Sequence, residues 1–184
     1  MIIRTFYLLV YFTLFFTIIC YASGNKEPER AVSTSQATDI PDYVLHDVIH
    51  YQYDSGVLKV KVIFEGGSFS RGEEELHVEN CSFEYYDSNE VVISRGSAKE
   101  ATLFRGRSEL IADGDVVVVS ELDGAKLETD HLEWHGKNNQ FTTESFVTIT
   151  RVNGDIIQGY GMISDVALRY IKIKKNVRGI IKSK

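Results

Sequence analysis

Glycine-containing turns between short β-rich segments fill the second half of the sequence, and this pattern constrains the fold most. Two segments, Gly124–Asp130 and Gly159–Asp165, each open on a glycine and end on an aspartate. Asp113-Gly114-Asp115 precedes the first segment, and Asn153-Gly154-Asp155 precedes the second. Asp-Gly and Asn-Gly pairs between β-rich runs are typical of hairpin turns. We therefore predict an antiparallel sheet of successive hairpins, with structural turns at Gly114, Gly124, Gly159 and Gly161.

The amino-acid composition supports an all-β fold class. The 184-residue chain contains two prolines and many β-branched and aromatic residues, which strands favour. After residue 40 we find no long segment in which apolar residues recur with helical spacing. Strand-like runs such as Leu58–Phe64 recur about every ten residues, which is typical of a sandwich, a barrel or a jelly roll. This spacing predicts about a dozen short strands.

An uncharged apolar segment, Thr5–Ala22, lies near the N-terminus. Its length of about 18 residues is at the lower limit for a membrane-spanning helix. Three interpretations fit the segment: a retained membrane anchor, a cleaved signal peptide, and a lipoprotein signal with an acylated Cys20. The apolar run is longer than a usual signal-peptide core, which favours the anchor. The predicted organisation is a membrane anchor over residues 1–23, a flexible linker over 24–40 and a β domain over 41–184.

The charge distribution narrows the range of partners. A net charge of -6 argues against a general nucleic-acid-binding protein. After Asp165 there is no acidic residue, whereas several lysines and arginines follow. This basic segment either meets phosphate groups or protects an exposed edge strand from aggregation.

The sequence contains no specific catalytic constellation. His131 and His135 are separated by the same interval as His46 and His50, but in a strand this interval spans about 13 Å, too far to share one metal ion. No nucleophile elbow and no phosphate-binding loop occurs. Cys81 lies in a strand-like run without a signal for a nucleophile. We therefore predict a protein that is not an enzyme, with no catalytic residue, no metal site and no cofactor.

Alternating apolar residues identify the predicted inner face of the sheet. They either line a hollow apolar groove or pack as a solid core, and packed interiors are the norm in proteins. The alternation changes phase within Leu76–Tyr85 and again near Asp130, which predicts a bulge or a corner at both places. The candidate groove residues are Leu58, Val60, Val62, Leu127, Leu132, Trp134, Val147, Ile149 and Met162.

Several segments resemble a known family. Leu122–Trp134 resembles the G-x-x-L-x-T-x-x-L-x-aromatic signature of the LptC family, the periplasmic proteins of lipopolysaccharide export. Ile157–Asp165 looks like the glycine-containing element of that family, and Tyr51–Leu58 is similar to its first hairpin. The resemblance covers most of residues 43–180 and is strongest in the C-terminal half.

The resemblance implies an OstA-like antiparallel β-jelly roll with an open groove, preceded by one transmembrane helix in the inner membrane. In that family the periplasmic domain receives lipopolysaccharide from an inner-membrane ABC transporter, which consists of permease and ATPase subunits. It passes the lipid to a soluble periplasmic bridge protein of the same fold. The implied partner edge consists of Tyr170, Ile171 and Ile173.

Two other hypotheses compete with the membrane-anchored adaptor. One is a soluble bridge protein of the same fold. The other is a cell-envelope lipoprotein or adhesin with a packed β-sandwich and no lipid transfer.

Overall fold

The computed structural model describes residues 43–69, 74–104 and 106–182, which lie in one compact unit, Ile40–Lys184. Within these residues no helix has the length and apolar character needed to cross a membrane. The anchor predicted over residues 1–23 and the linker over 24–40 lie outside the described residues. The predicted all-β class is confirmed. The strands are β1 (Tyr43–Asp54), β2 (Val57–Phe69), β3 (Glu75–Tyr86), β4 (Val92–Phe104), β5 (Glu109–Ser120), β6 (Lys126–His135), β7 (Gln140–Thr150), β8 (Ile156–Asp165) and β9 (Ile171–Ile180).

The nine strands form one antiparallel sheet in which each strand pairs with its neighbour in sequence, from β1 to β9. The described strands are therefore ordered as a meander without Greek-key crossovers. The fold resembles a jelly roll because the sheet folds over itself. Two hairpin turns lie where the sequence predicts them. Ser55 and Gly56 both have positive φ between β1 and β2, and Gly154 has a φ of 86° between β7 and β8. Such backbone matches the twist of the flanking strands.

The strands are fewer and longer than predicted, because three predicted interruptions lie inside strands. Gly114 lies within β5. Gly159 and Gly161 lie within β8, so of the four predicted turn glycines Gly124 is the one in a loop. Gly114 and Gly161 have φ values of 73° and 69°. A mid-strand bulge needs this left-handed backbone as much as a hairpin does.

A line of bulges crosses the sheet. Left-handed backbone at Asn80 interrupts β3, next to the pair Glu79–Glu100. Glu100 in turn pairs with Asp113, and Asp113 with His131, so the irregularities lie side by side. The change of phase predicted within Leu76–Tyr85 is a corner at Asn80, where the pairing with β4 keeps its register, and the bulge predicted near Asp130 is confirmed. The register shifts lie between Ser97 and Glu100, Asp113 and Val116, Thr129 and Glu133, and Thr143 and Phe146.

The core forms because the sheet folds over itself along this line of bulges. Tyr85, in the C-terminal half of β3, lies 5.3 Å from Trp134 of β6 and 5.0 Å from Phe141 of β7 between ring centroids. β3 pairs with neither of those strands, so the contacts join two parts of one face. Phe83 contacts Tyr85 edge-to-face at 5.4 Å. These aromatic rings form the centre of the interior.

Candidate functional site

The structure brings the predicted inner-facing residues together. Leu58 is half-buried, and each of the other eight exposes at most 2 % of its surface. Those eight belong to one core cluster, packed with Tyr85 and Phe141. The residues predicted to line a groove therefore lie inside a packed core in this conformation. One of them, Ile149, also borders an open cavity.

That cavity, which we call the edge cavity, lies where β7, β8 and β9 meet and has a volume of about 190 Å³. Its lining consists of five aliphatic side chains and one cation: Ile149, Arg151, Ile157, Ile171, Ile173 and Val177. Ile157, Ile171 and Ile173 are partly buried against the core, whereas Val177 is exposed. The lining thus continues from the packed interior to the outermost strand.

Gly159 allows β9 to approach β8 beside this cavity. A Cβ atom at position 159 would lie 2.5 Å from Cγ2 of Ile173 and 2.8 Å from the carbonyl oxygen of Lys175. The φ of Gly159 is not in the left-handed region, in contrast to Gly161. Gly159 is therefore a packing glycine at a close approach of two strands, which is one of the roles of glycine within sheets.

An ion pair fixes Arg151 at the rim of the edge cavity. Its Nη1 lies 3.1 Å from Oδ2 of Asp123, and the Ala125 N–H donates to Oδ1 of the same carboxylate at 3.1 Å. Burial acts to raise the pKa of Asp123, but these hydrogen bonds, one from Ser120 and the charge of Arg151 outweigh it and lower the pKa. Asp123 therefore stays ionised and holds the guanidinium.

The sheet has two edge strands among the described residues, β1 and β9, each with one pairing partner. Of the predicted partner-edge residues, Ile171 and Ile173 lie in β9, and Tyr170 precedes the strand and is 84 % exposed. The edge strand β9 contains four cations and no acid: Lys172, Lys174, Lys175 and Arg178. β1 exposes several large apolar side chains, namely Tyr43, Val44, Ile49, Tyr51 and Tyr53.

A polar network joins β5, β6 and β7. His131 lies 2.6 Å from Asp113 through Nδ1 and 3.4 Å from Glu133 through Nε2. Glu133 and Thr142 also contact Nε2 of His135, at 3.2 and 3.0 Å. The two histidines thus share a carboxylate neighbour. Within the described residues no group of three or more potential ligands is arranged to hold a metal ion.

Cys81 is a buried strand residue. Its Sγ lies 3.6 Å from the carbonyl oxygen of Ala98. Burial raises the pKa of the Cys81 thiol to about 11, so it stays protonated at neutral pH. A thiol of this kind is a poor nucleophile.

Sequence reasoning missed part of the edge cavity. Ile157 lies in the segment that resembled the family's glycine element, but no pattern selected it as an inner-facing residue. Val177 lines the cavity next to Asn176, whose φ is 52°, and no pattern selected it either. Arg151 follows the last residue of β7. The sequence feature that could have identified it as a cavity residue is a basic side chain directly after an apolar stretch.

Comparisons with known proteins agree with this fold. Among solved structures, the chain is similar to LptH from Pseudomonas aeruginosa, described as the LptA homologous periplasmic component of the conserved lipopolysaccharide transport device. The TM-score is 0.54 at 8 % identity, and the similarity covers 67 % of this chain and 95 % of LptH. At this identity the similarity concerns the fold alone.

A search among proteins of curated function gave no match. The sequence profile of the family described as lipopolysaccharide-assembly, LptC-related, matches residues 7–182. The resemblance found in the sequence motifs is thus confirmed. Because the match spans nearly the whole sequence, the chain belongs to the LptC-related lipopolysaccharide-assembly family.

Proposed function

We propose that this protein is a membrane-anchored adaptor in lipopolysaccharide transport from the inner to the outer membrane. Residues 1–23 anchor it in the inner membrane as a single span, and the β domain lies in the periplasm. It receives lipopolysaccharide from the inner-membrane ABC transporter, with its permease and ATPase subunits, and passes it to a soluble bridge protein of the same fold. Family membership is the single observation that carries this proposal.

The geometry of the interior supports a role in lipid binding. Once the folded sheet opens, its apolar inner face offers acyl chains a water-free environment, and each buried methylene contributes about 0.8 kcal/mol. The edge cavity extends this apolar surface to solvent between β8 and β9. Binding by itself gives no direction, so the energy for transfer comes from the ATPase, a different chain.

The two edge strands support contacts with neighbouring proteins. An unpaired strand edge presents a row of N–H and C=O groups, to which a further strand can add. In this proposal β1 joins the transporter and β9 joins the soluble bridge protein. The lysines of β9 are compatible with such a role, because they prevent unspecific pairing of a free edge.

Photo-crosslinking tests the lipid-binding part of the proposal. A photoreactive residue at Leu127, Val147 or Ile149 is expected to form adducts with lipopolysaccharide in living cells, because these side chains face the interior. Thr148 is the matched control, since it follows Val147 and lies on the opposite face of β7. Equal adduct yields at Thr148 and Val147, or adducts at the control alone, contradict a lipid-binding interior.

Proline substitution tests the C-terminal edge. Ile171→Pro or Ile173→Pro is expected to abolish capture of the soluble bridge protein in a pull-down, because proline removes one backbone donor from β9. Ile173→Val keeps the donor and is expected to keep the capture. Unchanged capture by both proline variants argues against β9 as the partner edge.

The packed core favours one alternative function, a cell-envelope lipoprotein or adhesin without lipid transfer. Eight of the nine predicted groove residues are fully buried, which a solid β-sandwich also requires. Metabolic labelling with palmitate separates the two proposals. Label incorporated in the wild type and lost in Cys20→Ser supports the lipoprotein, whereas an unlabelled protein that keeps residues 1–23 supports the anchored adaptor.

A further inference from the structure

The edge cavity combines an apolar lining with one positive charge. Ile149 forms its fully buried base, and Ile173 and Val177 lie on the outermost strand. Such a surface matches an alkyl chain, which gains free energy in proportion to the apolar area removed from water. Arg151 is the one charged side chain in the lining. A ligand that matches the whole cavity therefore carries an alkyl chain and an anion.

The backbone of Arg151 is held in place by the β7–β8 hairpin. Its N–H donates to the carbonyl oxygen of Asp155 at 2.9 Å, and its carbonyl oxygen accepts from the N–H of Gly154 at 2.8 Å. The side chain is two-thirds buried and paired with Asp123. A guanidinium has five N–H donors, so it can bind a phosphate without releasing the carboxylate.

The edge strand β9, which contributes part of the cavity lining, is basic as a whole. No acidic residue follows Asp165, whereas β9 contributes four cations. Lys174 is paired with Glu144, and Asp155 accepts a hydrogen bond from the Lys182 backbone N–H. The remaining positive charge of this edge favours the approach of anions.

We propose that Arg151 selects an anionic headgroup, a phosphate ester, for an alkyl chain bound in the edge cavity. This inference rests on the proposed lipid transport, and it names the residue that distinguishes a charged lipid from a neutral one. The alkyl chain lies along the isoleucines, and the phosphate oxygens accept hydrogen bonds from the guanidinium. The same phosphate could belong to a lipid or be free in solution, and the experiment separates the two.

The test uses the full chain in a neutral amphipol, with isotope-labelled isoleucine methyl groups observed by NMR. Octyl phosphate, octyl glucoside and inorganic phosphate are titrated separately. Octyl phosphate is expected to shift the methyl signals of Ile149, Ile157, Ile171 and Ile173. Its dissociation constant is expected to be about tenfold lower than that of octyl glucoside, because of one charge-assisted contact. We call this ratio of the two dissociation constants the advantage of octyl phosphate. Inorganic phosphate is expected to leave these signals unchanged.

Two variants and a control identify the residue responsible. In Arg151→Gln the advantage of octyl phosphate is expected to fall below about twofold, while octyl glucoside binds as before. In Asp123→Asn the advantage is expected to grow about two- to fivefold, because the exposed negative charge beside Arg151, which repels a phosphate, is removed. A purely structural role of the ion pair would move both variants in the same direction. Arg178→Gln, on the face of the sheet that carries Tyr160 and Gln158, is expected to keep the advantage.

The outcomes separate this inference from the proposed function. Equal affinities for the two alkyl compounds, or an advantage that survives in Arg151→Gln, overturn the role of Arg151 and leave lipid binding intact. Equal shifts with inorganic phosphate overturn the alkyl-chain site. Absence of any shift with both alkyl compounds, in a chain whose spectrum shows that it is folded, contradicts lipid binding itself.

Discussion

At the scale of single residues, Gly159 shows how one missing side chain determines the C-terminal edge. We expect Gly159→Ala to destabilise the protein by about 1–3 kcal/mol, because the added methyl group overlaps Ile173 and the backbone of β9. Urea unfolding measures this change. Gly179→Ala is the matched control, because the nearest atom to its added methyl group would be 3.9 Å away. Equal free energies of unfolding for the two variants would show that β9 can move away from the added methyl group without loss of stability.

His131 is the residue that we expect to make stability depend on pH near neutrality. Burial acts to lower its pKa, but hydrogen bonds to Asp113 and Glu133, together with their charges, outweigh it and raise the pKa above 6.5. The folded state therefore binds the proton more tightly than the unfolded state. This stabilisation is complete below the unfolded pKa of about 6.5 and is lost as the pH rises through the raised pKa.

Urea unfolding at a series of pH values tests this expectation. The wild type is expected to lose stability relative to His131→Gln between about pH 6 and pH 8. Asp113→Asn removes the nearest partner and is expected to reduce the same difference. His77→Gln, at a histidine whose side chain is more than half exposed, serves as the control. Parallel pH profiles of wild type and His131→Gln would contradict the role of this network.

At the scale of elements, the strands are long because glycine and asparagine form bulges as well as turns. We expect Gly114→Ala to destabilise the protein by about 1 kcal/mol, since its φ of 73° suits few other residues. The nearest atom to the added methyl group is Cβ of Lys99 at 3.1 Å, which has to move by a few tenths of an ångström. Gly66→Ala, at ordinary φ and 3.7 Å from the nearest atom, is expected to cost nothing. Chemical denaturation of both variants measures the difference.

The same elements show what the sequence can predict about strands. The change of apolar phase located the corner at Asn80 and the bulge near Asp130, because phase depends on local alternation alone. The predicted number of strands was wrong, because the sequence alone does not distinguish Asp-Gly at position 113 from Asn-Gly at position 153. The first continues its strand and the second reverses it. Pairing with neighbouring strands decides between these outcomes, and a local pattern contains no information on that pairing.

At the scale of the whole molecule, the packed interior has to open if acyl chains are to enter it. Trp134 is the single tryptophan and exposes 1 % of its surface. We expect little quenching by acrylamide in the free protein, and strong quenching by a lipid with brominated acyl chains once chains reach the core. Fluorescence titration measures both effects.

A second reporter shows where the chains bind. In Trp134→Phe combined with Tyr170→Trp, the tryptophan occupies a position that is exposed in the wild type. Brominated lipid is expected to quench this reporter less than it quenches Trp134. Quenching confined to the exposed reporter would place the lipid on the surface and would contradict an interior that opens.

The sequence by itself determined the all-β class, the antiparallel hairpins, the inner-facing apolar residues and the family, because these depend on local alternation and short motifs. The tertiary structure decided what those residues do. The predicted groove residues became a packed core when the sheet folded along its bulges, and the edge cavity appeared where β7, β8 and β9 meet. Arg151 and Val177 lie far apart in the sequence, and the pairing of strands brings them to one surface. Long-range pairing and packing, which no local pattern encodes, created the site.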